Sequence, residues 1–216
     1  MFKEAGPHFA KVIEQAVGRG IFDIEAIIQE LRFAGYQEYI IAELSLAADL
    51  FDYSKQMLSE SKIPFIWTAQ NEINYGMMLE AKRVMLLDTG MRRFAAEMSD
   101  YAINVKLSGK PSKQIIAEMS ERFAREGRRI GTEVDTALST FDRASKKMLY
   151  ENAGIGKFVY FGPLDDVTRD ICRAAMTSPK QQTGWTETDI ASSEVDFITG
   201  GGYNCRHDWL PFVKVE

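Results

Sequence analysis

Apolar positions recur at helical spacing through most of the first 150 residues. Ile24, Ile27, Ile28 and Leu31 form one short face, with Asp23 placed to cap it and Gly35 to end it. A second helix, over 36–59, carries one seam at Ile40, Leu44, Ala47, Phe51 and Leu58 and another at Tyr39, Leu46, Leu50, Tyr53 and Met57. Two adjacent seams predict a wide face packed on two neighbours at once. Pro64 separates a third pattern, over 68–87, and Gly90 interrupts its continuation through Met91, Phe94, Met98, Tyr101 and Val105. Pro111 suits a first helical turn, where its missing N–H costs nothing. After it, Met119, Phe123, Gly127, Ile130, Val134, Leu138, Phe141, Ser145 and Met148 fall on one stripe. Their mean step is about 3.6 residues, that of a straight α-helix, so one long helix is expected here, with Ser145 its single polar stripe position.

The pattern changes near 152–156. The first 150 residues hold three prolines, whereas 151–216 hold three more, seven of the sixteen glycines and both cysteines. Residues 157–161 read as a strand stopped by Gly162-Pro163, and 167–175 as a short helix with Cys172 one turn from Thr168. Thr186 and Asp189 have capping-box spacing, flanked by a Trp185 to Ile190 hydrophobic staple. The fold class is therefore mainly α: an elongated helical domain with long helices (1–150), then a small C-terminal α+β module (151–216). About 65 residues bury too little apolar surface to stand alone. The module is thus expected to dock on the long helix, bind a metal or carry a crosslink.

Composition narrows the function classes. A chain of 216 residues, 45% apolar and 26% charged, is globular. Its net charge of −5 argues against a surface that coats nucleic acid, because such surfaces gain affinity from Lys and Arg on phosphates. Arg122, Arg125, Arg128 and Arg129 are diluted by Glu121, Glu126 and Glu133 and read as a solvated helix face. No apolar run reaches the roughly 18–20 residues of a membrane span, and the first residues lack a secretory leader, so a cytosolic site of synthesis is expected. Seven of ten methionines fall between Met57 and Met119, where they read as core filler, the alternative being a surface that meets an adaptable partner. His-Glu-x-x-His, Gly-x-Ser-x-Gly and Walker patterns are missing, and the chain is read as no enzyme.

The residues with chemistry are few. Both cysteines, Cys172 and Cys205, and one of two histidines, His207, lie in the last 45 residues, with Gly200-Gly201-Gly202 between them. Three readings stand side by side. As zinc ligands the three need a fourth donor, for which Asp170 or Asp208 would serve. As a Cys172–Cys205 disulfide they would suit a particle that matures outside the cell. As buried residues they need nothing further, the thiols acting as small hydrophobes and His207 being hydrogen-bonded in place. A nucleophilic Cys-His pair is weaker, since no orienting third group is identifiable. In each of the first three readings the residues are expected to meet in space, the glycines allowing the close backbone approach. Glu133 and Arg169 are further expected to pair and fasten the module to the long helix.

In order along the chain stand Arg129-Ile130-Gly131-Thr132-Glu133, the strand at 158–161, Asp165-Asp166-Val167-Thr168-Arg169 with Cys172, and a Gly-rich Tyr203-Asn204-Cys205-Arg206-His207 segment. That order, over roughly residues 125–212, resembles the minor head proteins of tailed bacteriophages related to the Mu F head-morphogenesis family. The resemblance implies a virion protein near the portal vertex, assembled in the host cytoplasm and acting in head assembly or genome delivery. It implies portal or other head and tail proteins as partners, a ring of identical copies, packaged DNA as a further contact and no membrane in the assembled head. Glu133, Asp165, Thr168 and Arg169 would then be structural residues, and no cofactor is expected beyond the zinc already weighed from the Cys172, Cys205 and His207 side chains themselves. The chain departs from the family in its lone Cys172 and in Cys205-Arg206-His207, where relatives carry Cys-x-x-Cys or a His and then Cys-Arg-Cys. The alternative class is a metal-dependent hydrolase or a phage-delivered effector using the Cys/His cluster. Residues 1–110 carry no resemblance.

Overall fold

The computed structural model describes residues 5–21, 23–110 and 112–212. Helices α1 (Ala5–Gly18), α2 (Ile24–Phe33), α3 (Tyr36–Glu60) and α4 (Ala69–Val84) lead into a π-helical turn, Met85–Gly90. Helices α5 (Met91–Leu107) and α6 (Ser112–Asn152) follow, then β1 (Phe158–Phe161), α7 (Asp170–Thr177), a 3-10 turn (Pro179–Gln182), α8 (Glu187–Ala191) and β2 (Asp208–Pro211). The fold is mainly α with a small antiparallel sheet near the C-terminus, the class expected from the pattern. Among the described residues no helix is long and apolar enough to cross a membrane.

Compactness divides the chain into two units, 1–44 with 80–135, and 45–79 with 136–216. This division does not fall at the compositional break near 152–156. Residues 151–216 share a unit with parts of α3, α4 and α6, because the short module and those helices bury their apolar side chains in one core.

In the first unit the capping expected for α2 is present: the Asp23 carboxylate accepts from the Ala26 N–H at 2.9 Å. Ile27, Ile28 and Leu31 are buried, as are Phe9 and Ile13 of α1 and Met91, Phe94 and Met98 of α5. Gly90 does not break the helical path; the π turn absorbs it and α5 continues directly. Arg129 is no bare solvated side chain, since it binds Glu97, Glu126 and Glu133, each at 3.0 Å.

The second unit holds the sheet and the denser core. Phe51 of α3 stacks on Tyr75 of α4 at 4.5 Å between centroids, and Tyr75 meets Phe141 of α6 at 5.5 Å. Of the long stripe, Val134, Phe141 and Ser145 are buried, and the Ser145 hydroxyl donates to the Phe141 carbonyl at 2.9 Å. Pro111, the Met119, Phe123 and Ile130 side chains and the burial of Gly127 lie outside what the structure describes. The first seam of α3 is buried throughout. The second is corrected in part: Tyr39 meets Phe9 of α1 at 5.9 Å, but Leu46, Leu50, Tyr53 and Met57 are 45%, 51%, 58% and 42% exposed, so the described residues leave the rest of that seam largely uncovered. The methionine reading is corrected in part, because Met91 and Met98 are buried whereas Met57, Met77 and Met85 are exposed.

Strand β2, which periodicity did not reveal, pairs antiparallel with β1 in the register Tyr160↔Trp209. Trp209 is fully buried, with the rings of Tyr160, Trp185 and Phe197 at 4.7, 5.6 and 6.0 Å. Both outer edges of this two-stranded sheet are blunted. Gln181 bonds the Tyr160 N–H and C=O, the Asp208 carboxylate takes the Trp209 N–H, and Pro211 has none to give. The capping box at Thr186 and Asp189 forms as expected, and both staple residues, Trp185 and Ile190, join the core.

Because Trp209 joins three aromatic neighbours at the centre of this core, Trp209→Ala should cost about 3–5 kcal/mol. Urea denaturation followed by far-ultraviolet circular dichroism would measure the loss.

Candidate functional site

Cys172, Cys205 and His207 meet, as the sequence led us to expect. The two sulfurs lie 3.9 Å apart and are unbonded thiols, and Cys205 Sγ is 3.8 Å from His207 Nδ1. All three residues are buried, and their donor atoms lie within 4.8 Å of one another. No bond joins the sulfurs here; a disulfide would place them about 2.0 Å apart.

Three separate segments deliver the donors. Cys172 sits in the first turn of α7, which starts at Asp170, so Thr168 precedes the helix and does not form its first turn as expected. Cys205 ends a tight loop in which Gly200 and Gly202 have φ of +58° and +95° and Asn204 has +56°. These are left-handed conformations in which side chains are disfavoured. The glycines also supply space. A Cβ on Gly201 would stand 2.2 Å from Cys172 Sγ, and one on Gly162 would stand 2.5 Å from Cδ2 of His207. His207 immediately precedes β2 and stacks on the Tyr160 ring of β1 at 5.3 Å.

The sequence-derived structural residues orient the imidazole. The Pro163 carbonyl is 2.9 Å from His207 Nε2 and also accepts from the Thr168 hydroxyl at 2.9 Å. A carbonyl only accepts, so Nε2 carries the proton and Nδ1 presents its lone pair toward the sulfurs. Thr168 Oγ1 in turn accepts from the Asp165 N–H at 2.9 Å, which ties off the turn. Asp165 receives Arg206 through two bonds of 2.6 and 2.7 Å, a fork geometry that joins this turn to the Cys205 loop. Arg169 donates to the carbonyls of Gly201, at 3.0 Å, and Tyr203. The expectation that Glu133 pairs with Arg169 joins residues of the two units, and each side chain has partners within its own unit. Glu133 is held by Arg93 and Arg129, and the Arg169 guanidinium is satisfied by carbonyls whose positions sequence spacing could not disclose.

The proposed fourth ligands are corrected. Asp208 accepts from Lys146 at 2.5 Å, and Asp170 is exposed; neither belongs with the three donors among the described residues. Sequence reasoning also missed Arg143. This buried residue of α6 donates to the carbonyls of Ile198, Cys205 and His207 at 3.1, 2.7 and 2.9 Å. It lies off the apolar stripe, and nothing in the sequence distinguishes it from a surface arginine.

The electrostatics separate the two thiols. Burial holds Cys172 above the ordinary thiol range. Burial also pushes Cys205 upward, but the Tyr160 hydroxyl at 3.3 Å, the backbone of His207 and Gly201 and the Arg143 charge outweigh it, leaving this thiol below its usual value. Burial lowers the His207 pKa and favours the neutral ring. Two thiols and a neutral Nδ1 form a soft donor set suited to a thiophilic divalent ion. Over them lies a cleft of about 130 Å³ that is also lined by Val167, Thr168, Arg169, Asn204 and Arg206.

No family model, curated protein or solved structure matches the chain.

Hydrogen bonds from Arg206 hold the Asp165 carboxyl well below its usual range. A depressed carboxylate contributes stability that is complete above its unfolded pKa of about 3.9 and is lost as pH falls through the folded value. Asp165→Asn should therefore weaken the protein at neutral pH and flatten the acid limb of its stability below about pH 4. Thermal melts of both forms across acid pH would show this difference in slope.

Proposed function

We propose that this chain is a structural protein of a tailed-bacteriophage particle, a minor head or head-to-tail connector protein near the portal, acting in head assembly or genome delivery. The reading rests on the resemblance to the Mu F-like head-morphogenesis proteins. One observation carries it: the two motif segments, Asp165 to Arg169 and Tyr203 to His207, engage each other through Asp165–Arg206 and through Arg169 on the Gly201 and Tyr203 carbonyls. Charged groups joined in this way build a scaffold and leave little free for a substrate.

The remaining surface supports assembly. Leu46, Leu50, Tyr53 and Met57 recur at spacings of four, three and four along α3, a continuous exposed apolar stripe of the kind that marks protein partners. In this reading the partners are the portal or other head and tail proteins, several copies form a ring, packaged DNA is a further contact, and the chain ends in the virion after assembly in the host cytoplasm. The enzymatic alternative, a metal-dependent hydrolase or a delivered effector, requires a base within reach of the attacking water. Beyond Cys172, Cys205 and His207, which such a metal would occupy, the cleft is lined by Val167, two guanidinium groups, an amide and a hydroxyl, and the nearby Asp165 carboxylate is bound to Arg206.

Quantitative mass spectrometry of purified particles tests the reading. The expected result is this chain at a fixed, low ratio to the major capsid protein. Its absence from particles, with the free protein abundant in infected cells, would overturn the proposal.

A further inference from the structure

The Cys172, Cys205 and His207 donors have the spacing of a metal site built before the metal arrives. Two sulfurs each about 2.3 Å from a tetrahedral zinc stand about 3.8 Å apart, and here they stand 3.9 Å apart. The corresponding sulfur-to-imidazole edge is about 3.6 Å for bonds of about 2.3 and 2.0–2.1 Å, against 3.8 Å between Cys205 Sγ and Nδ1. The remaining donor pair lies within 4.8 Å.

The surroundings agree with these lengths. Gly201 donates its N–H to Cys205 Sγ at 3.1 Å, an interaction that favours a thiolate and leaves the sulfur further lone pairs for a metal. The imidazole proton is fixed on Nε2 by the Pro163 carbonyl, the outer-shell arrangement by which proteins orient a metal-binding histidine. Gly201 and Gly162 leave room for sulfur and ring where a Cβ would collide.

We propose that this cluster binds one zinc ion through Cys172 Sγ, Cys205 Sγ and His207 Nδ1, with a solvent molecule from the adjoining cleft as the fourth ligand. Asp170 and Asp208 lie outside the donor group, and Cys172, Cys205 and His207 themselves line the cleft, so solvent reaches the metal from that side. The ion joins α7 to the loop before β2, the crosslink that a module of this size calls for. The proposal goes beyond the virion reading and does not depend on it.

The whole 216-residue chain, purified under reducing conditions and freed of metal, would be titrated with Co²⁺ and then Zn²⁺. The expected result is thiolate-to-cobalt charge-transfer absorption saturating at one equivalent, abolished by zinc and missing from Cys205→Ser. Retained zinc should also raise the melting temperature of the chain. Because Cys205→Ser could fail to fold, Thr168→Val provides a second arm. It keeps all three donors but removes the hydroxyl that holds the Pro163 carbonyl, and should weaken zinc binding about 10–100-fold. An intact-mass loss of two hydrogens, showing a disulfide in the reduced preparation, or a cobalt titration without charge transfer would overturn the site. Unchanged zinc affinity in folded Thr168→Val would overturn the orienting role given to Pro163.

Discussion

The Arg143 guanidinium is the interaction on which the C-terminal half of the structure depends. A buried cation is costly unless its donors are satisfied. Here the acceptors are the carbonyls of Ile198, Cys205 and His207, from a loop with few other ladder partners. The Cys205 and His207 carbonyls, both in buried bonds, would themselves be costly to leave unpaired, by roughly 1–3 kcal/mol. The arrangement solves both problems at once and sets where Cys205 and His207 stand relative to α6. A lysine could not replace it, having no planar fork with which to reach three diverging acceptors.

Around that anchor, convergence of the donors follows from backbone geometry. The Gly200 to Gly202 turn uses positive φ at its two ends and close approach at its centre, where Gly201 lies against Cys172. The Pro163 to Thr168 turn then fixes the imidazole from the opposite side. Packing completes the support: Trp209 and Tyr160, paired across the two strands, carry the apolar core to the edge of the Cys/His cluster. A two-stranded sheet is marginal alone; here it is sustained by aromatic contacts and by helices that share its core.

Much of this was legible in the chain, for physical reasons that differ by element. The helices could be read because burial on one face leaves a 3.6-residue period, as in Ile27, Ile28 and Leu31 behind the Asp23 cap. The Cys172, Cys205 and His207 cluster could be read because rare side chains and three consecutive glycines are conspicuous in a short segment. The second seam of α3 misled in part, since apolar spacing does not reveal whether a neighbour is present. Partners of long charged side chains were illegible: Arg169 bonds to backbone carbonyls, and carbonyls carry no sequence signature. For the same reason Arg143 passed unnoticed, and β2, four residues with Pro211 at its end, was too short to show a period of two.

The central claim is that the buried guanidinium, more than the local turn, holds the Cys205 loop in place. Native-state hydrogen exchange of wild type and Arg143→Met tests it directly. The account predicts that the Gly200, Gly201, Gly202 and Cys205 amides lose most of their protection in the variant, while the β1 and α7 amides retain theirs. Equal protection of the loop amides in both proteins would contradict the account, and would show that the glycine turn holds its shape without Arg143.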